Sequence, residues 1–281
     1  MNGYREPTEL KRIPVMGVDW SGARQPAKSI ALACGELRRR KSGDVVHLES
    51  CRLARDLGGK MSPDDCRSNV VQAIASEDER WIGCDFPFSL PLEMVGPNSW
   101  QTFARHFGKR YPSPSAMRDE CRQRLGGEKR RRTDTESKAP WAPTNLRLYR
   151  QTFFGIRDLL VPLVFGHQAV VLPMMRDRPG SIKLLEVCPA SRLKQVDCYR
   201  SYKGRGNELR RERQKLVDRL SDIAGYGVIV RPRDKQAMVE QEGGDLFDAV
   251  LAMTIVAGMI DQPHERYRCD RIYRREGFIY Y

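Results

Sequence analysis

Val15-Met16-Gly17-Val18-Asp19 and Trp81-Ile82-Gly83-Cys84-Asp85 decide the fold. Each is a short apolar run that ends in an aspartate. A third run, Ile182-Lys183-Leu184-Leu185-Glu186, ends in a glutamate, and Gly243-Gly244-Asp245-Leu246-Phe247-Asp248 opens an apolar helical stretch. Short apolar runs bounded by turn residues read as buried strands. An unpaired charge is costly in apolar surroundings. Four such placements imply acids that meet around something positive, most simply a pair of divalent metal ions.

Working outward, residues 13–20 read as a first strand. Lys28–Cys34 reads as its hairpin partner and Asp44–Arg52 as a third strand. Ser62-Pro63-Asp64 opens a helix that runs to about Ala75, with serine as cap and proline in the first turn. Arg80–Asp85 is the fourth strand. Residues 92–167, rich in proline, arginine and aromatics, read as a helical insertion within one domain spanning 1–281. Ser99–Phe107, Ser115–Leu125 and Tyr149–Phe165 are its helices, and Gly126–Pro143 reads as a mobile polar loop. The sheet resumes at Gln168–Pro173 and Ser181–Val187. Two helices follow, Leu209–Ile223 and the more apolar Asp245–Ile260, and the tail Arg271–Tyr281 reads as an edge strand. The fold class expected is α/β, a mixed sheet flanked by helices.

The 281 residues are 40% hydrophobic, enough for a substantial core. No apolar run approaches the roughly 20 residues that span a bilayer, and Met1–Arg12 is polar and mixed in charge, unlike a secretory signal. A cytoplasmic protein with no membrane association is expected. Its eight cysteines form no CxxC pair and, with four histidines, no zinc spacing; reduced thiols are expected. The formal net charge of +13 favours a polyanionic partner, nucleic acid foremost. Glu128-Lys129-Arg130-Arg131-Arg132 is either a solvated loop or an arm that contacts phosphates.

Asp245 and Asp248 are three apart on a helix and so share one face. Carboxylates are the ligands Mg²⁺ prefers, and two such ions can drive phosphodiester cleavage with no other protein group. Each acid also has a structural reading. Asp19 and Asp85 can start turns. Glu186 can pair with an arginine such as Arg192. Asp245 can cap the helix, with Asp248 favourable in its positive first turn.

Gly17-Val18-Asp19, Cys84-Asp85-Phe86-Pro87-Phe88-Ser89-Leu90-Pro91, Glu186-Val187-Cys188-Pro189 and Asp245-Leu246-Phe247-Asp248-Ala249 occur in an order that resembles the DUF429 family, a predicted nuclease branch of the ribonuclease H-like superfamily. Arg118-Asp119-Glu120-Cys121-Arg122 with Leu125-Gly126, Lys203-Gly204 and Glu276-Gly277-Phe278-Ile279 are also similar, so the resemblance runs from about residue 13 to 281. Trp20-Ser21-Gly22-Ala23 departs from a commoner cysteine-proline form and suggests a subgroup. The resemblance implies a ribonuclease H-like sheet with an acid on strand one, an acid on strand four and, as in resolvase-type members, two on the last helix. Asp19, Asp85, Asp245 and Asp248 fit that plan, and Glu186 belongs to the DUF429 pattern alone.

The expected activity is thus a Mg²⁺- or Mn²⁺-dependent nuclease. Asp19 would bridge the ions, Asp85 and Asp248 would hold one each, Asp245 would assist, and Glu186 would bind metal or orient water. Ser21, Arg118 and Lys203 are the expected phosphate contacts. Resolvase-like nucleases often work as dimers, so a homodimer is an expectation. Two alternatives remain open. An actin-like nucleotide-binding enzyme would need glycine-rich phosphate loops, for which only Gly22 and Gly243-Gly244 offer themselves. A non-catalytic nucleic-acid-binding domain would use the acids structurally.

Overall fold

The computed structural model describes residues 11–41, 43–59, 62–76 and 79–281. The reading of the extreme N-terminus, residues 1–10, lies outside them. Among the described residues, seven strands form one sheet: β1 (Arg12–Asp19), β2 (Ala31–Arg38), β3 (Val45–Leu53), β4 (Trp81–Asp85), β5 (Ala169–Leu172), β6 (Ile182–Glu186) and β7 (Gly227–Ile229). Their order is β5-β6-β4-β1-β2-β3-β7. Only β2 runs against the rest, because it pairs antiparallel with β1 and β3 while every other pairing is parallel. The chain is thus α/β, with a mixed sheet and helices on both faces. No helix among the described residues is long and apolar enough to cross a membrane.

The pleat sorts side chains onto two cores. Met16, Val18, Ile82, Cys84 and Leu184 face the helix Pro63–Ala75 and the helices between β4 and β5, among them Trp100–Arg110, Pro114–Leu125 and Tyr149–Phe154. Val15, Ala31, Ala33 and Leu185 face the helices Asn207–Asp218, Pro232–Glu240 and Asp245–Met259. The last is buried almost all round, as befits a helix apolar on every side. It settles directly on the sheet because two glycines stand opposite each other, Gly17 paired with Gly83. A Cβ on Gly17 would lie 1.9 Å from the Ala249 carbonyl oxygen, and one on Gly83 2.5 Å from that of Ala252.

Three expectations are corrected. The second strand starts at Ala31, since Pro26–Lys28 forms a 3-10 turn in place of the strand's expected first residues. The stretch 126–143 is not an open polar loop: it contains the helix Arg132–Glu136, anchored by Arg131, which is 1% exposed. The tail forms the short helix Tyr273–Glu276 and then a single parallel bridge from Tyr280 to Val187, not a full edge strand. None of the eight cysteines forms a disulfide.

Candidate functional site

Asp19 and Asp85 are register partners at the ends of adjacent parallel strands. They therefore project side by side from the same face, the one that carries the helix Asp245–Met259. Each lies two residues beyond its glycine, so the close helix packing that Gly17 and Gly83 permit brings the helix N-terminus onto the two acids. Gly244, with φ of +76°, turns the chain into that helix, and Asp245 and Asp248 occupy its first turn.

Asp19 is 6% exposed and Asp248 1%. Among the described residues, no hydrogen bond or ion pair reaches the carboxylates of Asp19 or Asp85. Asp248 is satisfied: Tyr202 Oη donates to its Oδ1 at 2.5 Å, and Lys203 Nζ forms an ion pair with its Oδ2. Asp245 accepts from Gln241 Nε2 at 2.6 Å. Four carboxylates thus face one ammonium.

The electrostatic consequences follow. Burial raises Asp19 well above the usual aspartate range; Lys203 opposes this, and Asp245, Asp248 and Asp85 add to it. Burial, then the charge of Asp248, raises Asp85 to about 7. Asp245 is also raised by burial, against the pull of Gln241 and Lys203. Loss of water works against the Lys203 ammonium, but Asp248, Tyr202 and Asp19 outweigh it and hold the lysine well above its ordinary value. Such shifts mark a surplus of negative charge that a further cation would relieve.

Neither family models, nor curated proteins, nor solved structures match this chain.

Glu186 lines the same cavity and its charge adds to the raising of Asp85, but its carboxylate is held by Arg131. The register partner of Glu186 is Cys84, one residue short of Asp85, so the pleat turns it to the opposite face. There Arg131 Nη1 donates to Glu186 Oε2 at 2.9 Å, Arg131 Nη2 pairs with Oε1, and the Phe88 N–H donates to Oε2 at 2.9 Å. Arg131 also holds Asp134 at 2.7 Å. The expected partner Arg192 instead donates to the carbonyls of Ile223 and Ala224. Burial disfavours the Arg131 charge, and Asp134 and Glu186 more than offset this.

The acids line the floor of a cavity of about 470 Å³, to which Ser21 and Lys203 also contribute. Ser21 Oγ accepts from Ser29 Oγ at 2.8 Å and from the Ala23 N–H. Arg118 is not part of it; its guanidinium lies 5.8 Å from the Tyr149 ring and pairs loosely with Asp119. Sequence reasoning missed Tyr202, the buried Arg131 clasp, and the aromatic lining residues Trp141 and Tyr199. The repeated Gly-x-Asp of the two strands was the available signal for the close helix packing.

The donor set is all oxygen, the chemistry of a hard divalent cation. As placed, no three His, Cys, Asp or Glu side chains among the described residues gather closely enough to hold a metal ion. The Lys203 ammonium contacts Asp248 and supplies positive charge among these acids.

Proposed function

We propose that this protein is a divalent-cation-dependent phosphodiesterase acting on nucleic acid, with a ribonuclease H-like fold of the DUF429 kind. The observation that carries the reading is the register pairing of Asp19, buried, with Asp85, half-buried, two acids with no ion-pair partner among the described residues, beneath a helix that brings two more. Asp19, Asp85 and Asp248 would hold Mg²⁺ or Mn²⁺, with Asp245 beside them. The ion, when bound, supplies the charge that activates water and stabilises the leaving oxygen.

The chain's own groups do the rest. Lys203 exchanges Asp248 for a phosphate oxygen of the substrate, so its charge stays compensated. Tyr202 fixes the rotamer of Asp248 through its hydroxyl. Ser21, at the end of β1, offers its hydroxyl to a second phosphate oxygen. Glu186 is assigned a structural role, because Arg131 and the Phe88 amide already occupy it.

One observation favours a second reading, a nucleic-acid-binding domain without catalysis: Asp248 is fully satisfied by Tyr202 and Lys203. Crystals soaked in Mn²⁺ and measured by anomalous diffraction separate the two. A manganese peak between Asp19 and Asp85, lost in Asp19→Asn together with oligonucleotide cleavage, is expected. No peak, with Lys203 still against Asp248, would overturn the enzyme reading in favour of the binding domain.

A further inference from the structure

The mouth of the cavity differs in chemistry from its floor. Trp141 and Tyr199 both line it, and each carries a cation against its ring. The Arg147 guanidinium lies 4.8 Å from the Trp141 ring centre, and Lys194 Nζ lies 5.0 Å from that of Tyr199. Tyr199 is 42% exposed, one of three large apolar side chains left so open among the described residues.

Both rings sit on loops that are held in place. Arg130 donates to the carbonyls of Ala139 and Pro140, directly before Trp141. Lys194 donates to the Lys138 carbonyl at 2.7 Å while it stacks on Tyr199, so one side chain ties the two loops together. Arg200 adds a further cation to the lining and donates to the Tyr199 carbonyl at 2.8 Å. The Lys129–Arg132 run, legible as a phosphate arm, is largely spent on structure: Arg130 and Arg131 hold the walls.

We infer that this mouth binds single-stranded nucleic acid, with bases stacked on Trp141 and Tyr199 and the backbone running past Arg147 and Arg200 towards the acids. Aromatic platforms interleaved with cations are what single strands require, since every base has a stacking face and duplex bases are already stacked on each other. The buried floor points the same way. Asp19 and Asp248 lie within the cavity, where a flexible strand can bend to bring a phosphate and a stiff duplex has first to be opened. The inference rests on the phosphodiesterase reading for the identity of the polyanion.

The test is fluorescence anisotropy of the full chain with three labelled probes: a short oligothymidine, the same strand annealed to its complement, and an abasic sugar–phosphate strand of equal length. Binding is measured in EDTA and again in Ca²⁺. The oligothymidine should bind about tenfold or more tighter than either other probe. Trp141→Ala and Tyr199→Ala should each weaken it by about 5- to 50-fold, with Trp141→Phe and Tyr199→Phe retaining most of the affinity. Tyr199 is exposed, so its variants report even where Trp141→Ala unfolds. Equal binding of duplex or abasic strand, indifference to Tyr199→Ala, or no binding of any probe would overturn the inference. Addition of Mn²⁺ then separates the two claims. Single-strand preference without cleavage removes the enzyme and keeps the binding mouth; cleavage without that preference does the reverse.

Discussion

Asp85→Asn should make the metal-free protein more stable, and by an amount that depends on pH. Loss of water, then the charge of Asp248, pushes the Asp85 carboxyl up to about 7 from an ordinary 3.8. A carboxyl whose pKa is raised by folding favours the protonated form. Its fold is therefore most stable below pH 4 and loses stability as pH climbs through 7. At about 1.36 kcal/mol per pKa unit, the carboxyl costs the fold about 4 kcal/mol at pH 8, where it is ionised, and about 2 at pH 5 and under 1 at pH 4, where folding must protonate it. Asparagine keeps the shape and removes the charge. Urea unfolding in EDTA at these three pH values should show the variant gaining by a margin that shrinks in that order, towards the lower side of each figure as neighbouring acids relax. Mn²⁺ should reverse the ranking at pH 8, stabilising the wild type and leaving the variant unmoved. A loss of stability at pH 8, or a gain the same at all three, would refute the reasoning.

Lys203→Met should tighten Mn²⁺ binding in a calorimetric titration, since the ammonium competes for Asp248, while it slows cleavage at saturating metal. Gly17→Ala should destabilise by about 1–3 kcal/mol or more in denaturant unfolding, because the added carbon would lie 1.9 Å from the Ala249 carbonyl oxygen. Arg131→Met should cost about 3–5 kcal/mol by stranding two buried carboxylates, and the triple variant with Asp134→Asn and Glu186→Gln should recover much of that loss in the same assay.

The sheet core was legible because β1, β4 and β6 are compact apolar runs with clear punctuation and β3 alternates in strand fashion. β7 was not, since Gly227–Ile229 has only three residues, none of them buried. The site divides along a finer line. Asp19 and Asp85 could be placed together because both end strands two residues after a glycine. Glu186 also closes a short apolar strand, with Leu184 where the other two have glycine. Only the register, which pairs it with Cys84, puts it on the other face. Strand parity between non-adjacent segments is a tertiary property, set by which residues align across the sheet. The buried arginine was hidden for a related reason. Among four consecutive basic residues from Lys129 to Arg132, nothing local marks Arg131 as the one that meets Glu186, 55 positions away.

The Arg131 clasp also bears on when the cavity comes into being during synthesis. Arg131 donates to the Glu276 carbonyl, the Glu276 carboxylate accepts from the Leu92 and Arg132 amides, and the Ile279 amide donates to Thr133. The wall that carries Trp141 is thus latched to residues made 145 positions later. At translation rates of roughly 5–20 residues per second, a nascent chain spends several seconds with its strand acids already made and this wall unlatched. The wall is completed only once residue 279 is free to fold against Thr133.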